Sequence, residues 1–190
     1  MEFVSKKIIQ TVIHEISKKF KSEVDIFLVG SISAVVGYDL SKQTMDVDSY
    51  NQLSLEFKKL WVEVTNQLKM NLSISQTTVF FPPDGFESRY ILSNLSTDRI
   101  RLYFMEKHDF VIAKLSRGIG KDLSDIEQLH KLSSLDADIL IDRYLNEYIF
   151  VVHSGSQKMK NLDFLEMIEK LFGPKKMKSV EKIFAQKSFT

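Results

Sequence analysis

The chain contains no cysteine, only three prolines and seven glycines, and a single tryptophan. Without cysteine there is no disulfide framework and no thiolate metal site, which suits a cytosolic setting. Long apolar runs are also missing. In the C-terminal half the longest is Ile149-Phe150-Val151-Val152, whereas a membrane-spanning helix needs about 20 such residues. Met1 to Phe20 alternates lysines with aliphatic residues and lacks a continuous apolar segment, so it does not read as a signal peptide. Nor does charge of one sign dominate: 26 Lys and Arg stand against 25 Asp and Glu, leaving no molecule-wide field that would draw in nucleic acid. These absences predict a cytoplasmic protein with no membrane segment.

What is present is ordinary globular composition, 44% hydrophobic and 27% charged over 190 residues. That length supports one sizeable core and a small helical appendage. The charge is uneven. Residues 157–190 hold eight lysines and four acids, a net of +4 that leaves −3 on residues 1–156. Such a stretch is a solvated helical face or a contact for RNA or phosphate.

Val4, Ile8, Ile9, Val12, Ile13, Ile16 and Phe20 recur at helical spacing and predict an amphipathic helix over 3–21. Val24–Val29 reads as a buried strand stopped by Gly30, and Ser31 as the cap of a short helix reaching Gly37. Thr44–Tyr50 reads as a second strand, with Met45 and Val47 on one face and Asp46 and Asp48 on the other. Leu53–Leu68 is again helical. Thr77–Phe81, Arg89–Leu95 and Ile100–Met105 are three candidate strands, the last two joined by a turn at Ser96-Thr97-Asp98. From Asp109 the pattern is helical, with breaks near Gly118–Gly120, Ser154–Ser156 and Gly173-Pro174. The expectation is an α/β fold with a small mixed sheet, residues 1–132 forming the main domain and 133–190 a helical segment packed on it.

One constellation carries chemistry. Leu28-Val29-Gly30-Ser31 is followed, after fourteen intervening residues, by Asp46-Val47-Asp48. Two acids two apart on a strand project from one face and can share hard divalent cations. Gly30 lets a backbone approach a phosphate, and free N–H groups at a helix start suit an anion. An acid-x-acid pair alone fits a polar sheet face equally well; the preceding strand and Gly-Ser turn favour a triphosphate with magnesium.

With these residues in view, the chain resembles the DNA polymerase β-type nucleotidyltransferases, whose signature is strand, Gly-Gly or Gly-Ser, helix, then Asp-x-Asp on the next strand. It is also similar to small bacterial nucleotidyltransferase-like proteins related to abortive-infection and toxin–antitoxin systems. Their later motif finds its counterpart in Ala113-Lys114-Leu115-Ser116-Arg117-Gly118-Ile119-Gly120-Lys121-Asp122-Leu123-Ser124-Asp125. The resemblance spans about residues 24–132. It implies a nucleotidyltransferase-type fold in which Gly30 and Ser31 grip the triphosphate and Asp46 and Asp48 hold two Mg²⁺ ions. It further implies that Lys114 neutralises phosphate charge while Asp122 or Asp125 orders the site. Read on their own, Asp122 and Asp125 fit the cap and first turn of a helix, and Lys114 fits a lysine lying along an amphipathic helix.

The resemblance also implies a third carboxylate on a later strand, commonly the general base. Arg101-Leu102-Tyr103-Phe104-Met105 holds no acid. Glu106 and Asp109 follow it; Glu106 is the candidate third metal-side carboxylate, and Asp109 reads more as the cap of the next helix. His14, His108, His130 and His153 are scattered, Gly118-Ile119-Gly120-Lys121 lacks P-loop spacing, and Arg89 reads as a sheet arginine. Trp61, Phe80 and Phe81 read as core.

Two functions are therefore expected. The first is metal-dependent nucleotidyl transfer from a nucleoside triphosphate to an RNA, protein or small-molecule acceptor. The second is a non-catalytic binding or antitoxin-like regulatory protein, with a toxin–antitoxin partner, using the same fold.

Overall fold

A computed structural model describes residues 4–41, 46–77, 81–116, 119–148 and 157–186. The chain forms two compact units. The first comprises Met1–Val79 with Glu87–Glu106, the second Phe80–Phe86 with Lys107–Thr190. Among the described residues no helix is long and apolar enough to cross a membrane.

In the first unit, α1 (Lys6–Lys19) forms where the apolar spacing predicts it, capped by Ser5. It buries Ile9, Val12, Ile13 and Ile16, the i, i+3, i+4, i+7 face that a helix turns to a core. α3 (Leu55–Gln67) starts where the Ser54 hydroxyl accepts the Phe57 N–H at 3.1 Å, satisfying one of the helix's orphan donors. It buries Phe57, Trp61 and Val64. The two helices meet through Phe20 and Phe57, packed edge to face at 5.2 Å. Trp61 is core as expected, and its indole N–H donates to the Leu72 carbonyl at 2.8 Å.

β1 (Val24–Phe27) pairs in parallel with β5 (Ile100–Phe104), and β4 (Ile91–Leu92) pairs antiparallel on the other side of β5. β2 (Asp46–Ser49) pairs in parallel with β3 (Ser73–Gln76), Asp46 opposite Ser73 and Asp48 opposite Ser75. An antiparallel bridge, Leu28 to Ser49, joins the two groups. The sheet is small and mixed, as expected.

Several local expectations are corrected. A strand forms at Ser73–Gln76, where none was expected, its register set by pairing with β2; of the strand expected at 77–81, residues 78–80, including Phe80, lie outside the described set. Phe81 is exposed rather than core. Arg89 ends a 3₁₀ turn, Phe86–Arg89, instead of opening a strand. Thr44 and Met45 lie outside the described residues.

α2 (Gly30–Tyr38) follows β1 directly and buries Ile32, Ser33, Ala34, Val35 and Val36. The ring of Phe104 fills the space where a Cβ on Gly37 would stand, so only glycine lets this helix sit so close to β5. Two α2 side chains hold the end of that strand. The Ser33 hydroxyl accepts the Met105 N–H at 2.7 Å, and the Tyr38 hydroxyl donates to the Met105 carbonyl at 2.9 Å.

The second unit is helical: α4 (Lys107–Leu115), α5 (Ile119–Ser133), α6 (Ala137–Arg143) running into a π-helical turn (Tyr144–Tyr148), α7 (Gln157–Phe172) and α8 (Pro174–Gln186). α4 is its centre, buried from His108 through Leu115. Its polar residues survive there because each has a partner. The Asp136 N–H donates to His108 Nε2 at 2.9 Å, and Arg143 donates to Asp109 at 2.8 Å. Asp109 is thus not a helix cap but half of a buried ion pair.

Candidate active site

β2 alternates as a strand should. Val47 and Ser49 are buried, Asp46 is exposed and Asp48 half-buried, so the two acids share the face that turns away from the core. The edge of β2 is tied to β1 by more than the Leu28–Ser49 bridge. Val29 N–H donates to the Asp48 carbonyl at 3.0 Å and Tyr50 N–H to the Phe27 carbonyl at 2.7 Å. The Asn51 side chain completes the seam, accepting the Phe27 N–H at 3.0 Å and donating to the Asp25 carbonyl at 2.8 Å.

This seam brings Asp48 beside Gly30. Gly30 has φ +61°, and a Cβ built there would stand 3.3 Å from Asp48 Oδ2. Any other residue would be strained by its backbone angle and would press on the carboxylate. The N-cap position of α2 is occupied by Val29, not Ser31 as expected, and valine has no side-chain acceptor for the helix's first N–H groups. Those donors and the Asp48 carboxylate therefore meet at one helix start, a setting for a phosphate accompanied by a cation.

Asp46 is held by a residue that the sequence pattern did not single out. Its Oδ1 accepts the Ser73 hydroxyl at 2.5 Å, a partnership created by the β2–β3 register. Tyr50, just past β2, donates to Glu87 at 3.2 Å, and burial followed by the Glu87 charge raises its phenol above the ordinary value. Glu106 leaves the carboxyl end of β5, parallel to β1 and hence at the sheet edge where β1 delivers Gly30. It comes directly after Met105, the residue fixed by Ser33 and Tyr38.

In the second unit, Lys114, Asp122 and Asp125 do come together. The Lys114 ammonium donates to Asp122 Oδ1 at 2.8 Å and to Asp125 Oδ2 at 2.9 Å, and all three side chains are 5% exposed or less. Lys114 does not lie along a surface, and Asp122 sits inside the first turn of α5 instead of capping it. The ammonium also stands 5.3 Å from the Phe110 ring. Next to it, Lys160 donates to the Leu115 and Ser116 carbonyls at 2.9 and 2.6 Å, closing the C-terminal end of α4. The cluster fastens α4 to α5.

Among the described residues no three His, Asp or Glu side chains gather as a metal cage. Comparison with curated proteins and with solved structures gives no match. The family described as nucleotidyltransferase of unknown function (DUF6036) matches residues 7–171, which take in Gly30, both strand acids and the Lys114 cluster. The chain belongs to that nucleotidyltransferase family.

Proposed function

We propose that the chain transfers a nucleotidyl group from a nucleoside triphosphate to a hydroxyl-bearing acceptor, at the site formed by Gly30, Asp46, Asp48 and Glu106. The observation that carries this reading is the placement of the Asp48 carboxylate beside Gly30 at the start of α2, where a Cβ would stand 3.3 Å from Asp48 Oδ2. A glycine with positive φ, helix N–H groups and a carboxylate at one point match the two halves of a metal triphosphate.

Two hard carboxylates fit magnesium. This ion commonly takes one or two protein carboxylates and completes its shell with water and substrate phosphates, so a three-residue cage is not required. Asp46 and Asp48 would hold it, and when bound it would polarise the α-phosphate and offset charge on the leaving group. The chain's own residues do the rest. The first N–H groups of α2, with Ser31 beside them, bind phosphate oxygens, and Gly30 permits the close approach. Glu106 accepts the acceptor hydroxyl's proton. As the acceptor oxygen bonds to the α-phosphorus, the bond to the bridging oxygen breaks and pyrophosphate departs.

The test joins binding to chemistry. Each nucleoside triphosphate with Mg²⁺ is expected to raise the melting temperature, since a ligand bound to the native state alone stabilises it. Asp46→Asn combined with Asp48→Asn should abolish that rise, because amides are poor ligands for a hard cation. Triphosphate labelled at the α-phosphate should then label an acceptor in a mixture of cellular RNA and protein. Glu106→Gln should bind nucleotide and fail to transfer. A thermal shift without any labelled acceptor would instead establish the non-catalytic binding protein, the reading favoured by a β5 that carries no acid.

A further inference from the structure

The lysines of α8 are arranged differently from those elsewhere. Lys175, Lys178 and Lys182 stand at i, i+3 and i+7, a single stripe along the helix, and all three are exposed. The opposite side is anchored: Val180 is buried, and the Phe184 ring lies 5.9 Å from Tyr144 and 6.2 Å from Phe164. The stripe therefore faces outward. Among the described residues, none of the three lysines is paired with a carboxylate. Lys176, on the flank, is paired, with Asp138 at 2.6 Å.

Local stability does not account for this arrangement. Like charges three and four residues apart repel, and cations near a helix N-terminus oppose its dipole. In α1, by comparison, Lys18 bonds Glu15 at 2.6 Å and Lys19 bonds Glu63 at 2.7 Å, while Lys7 is exposed without such a pair among the described residues. A charge pattern that works against its own helix is characteristic of a surface kept for a ligand.

We infer that the outward face of α8 docks a single-stranded nucleic acid through its phosphates. Three cations in a line about 10 Å long complement a linear array of phosphates. No aromatic ring on that face is offered for base stacking, so contact is to the backbone and independent of sequence. A membrane does not fit, because the apolar side of α8 is already used inside its own unit. This docking does not rest on the nucleotidyl-transfer reading.

The experiment is fluorescence anisotropy of the full chain with a labelled RNA of mixed sequence, at stepped salt, for wild type and the Lys175→Gln/Lys178→Gln/Lys182→Gln variant. Losing three phosphate contacts should weaken binding at least about tenfold at low salt and reduce the log–log salt slope by about 2. The variant should melt at the same temperature or higher, since repulsion is relieved, and should keep the thermal response to nucleotide and Mg²⁺. Asp48→Asn should lose that response and keep RNA binding. The inference is overturned if wild type does not bind RNA, if the triple variant binds with unchanged affinity and slope, or if a polyglutamate peptide of equal charge binds more tightly than the RNA. A lost nucleotide response in wild type, with RNA binding intact, would overturn the transfer reading alone.

Discussion

The two units place their aspartates in opposite settings. In the strand-containing unit Asp46 is exposed and Asp48 half-buried, and a Cβ built on Gly30 would stand 3.3 Å from Asp48 Oδ2. In the helical unit Asp109, Asp122 and Asp125 are all 4% exposed or less, and each is bonded to a cation within 3 Å. A buried carboxylate persists only when a partner compensates its desolvation. On the proposed function the acids of β2 serve recognition, whereas those of α4 and α5 bind cations that fasten helices together.

The sharpest way to break this contrast is Lys114→Met. Removing the ammonium leaves Asp122 and Asp125 buried together without their cation, and loss of one partner from a buried ion cluster costs about 3–5 kcal/mol. Urea unfolding should show that loss as a lower midpoint. A cost under about 1 kcal/mol would mean that the lysine is not an assembly element, and the phosphate role implied by the resemblance would regain its place.

Gly30→Ala probes the other side. A left-handed angle costs a residue with a Cβ about 1–2 kcal/mol, and the added methyl would also crowd Asp48 Oδ2. The expected outcome is a modest fall in stability with complete loss of the nucleotide-induced thermal shift. Asp48→Asn should separate the two effects further. Its stability change should stay below about 1 kcal/mol, while the thermal shift disappears. If Asp48→Asn destabilises the protein as much as Lys114→Met does, the distinction between recognition and assembly fails.

How far the sequence led depends on the range of the interaction concerned. The α1 face was legible because helical periodicity is local, and all of Ile9, Val12, Ile13 and Ile16 are buried. The shared face of Asp46 and Asp48 was legible for the same reason at period two. β3 was missed because Ser73-Ile74-Ser75-Gln76 is a polar strand with one anchoring apolar residue. Its identity comes from the register with β2, not from propensity. The same register supplies Ser73 to Asp46, so that partner was invisible. Asp109 looked like a helix cap because its partner, Arg143, lies 34 residues further along. The spacing of Lys114, Asp122 and Asp125 was visible; that they neutralise one another required the packing of α4 on α5.

The smallest effect concerns an aspartate of the helical unit that is not buried. Asp136 caps α6, accepting the N–H groups of Asp138 at 2.7 Å and Ile139 at 3.2 Å. The bonds from Ile139 and then Asp138 lower its carboxyl below the ordinary aspartate value of 3.8. A carboxyl depressed in the folded state contributes stability above its unfolded value and loses it as pH falls through the folded one. The window therefore lies below about pH 4. Asp136→Asn keeps an oxygen that can cap the helix but removes the titrating charge. Wild type should melt slightly above the variant at neutral pH, and the gap should close as the pH is lowered towards about 2. A gap that stays constant down to about pH 2 would show that the carboxylate charge does nothing at this cap. Asp136 would then contribute as a neutral hydrogen-bond acceptor alone.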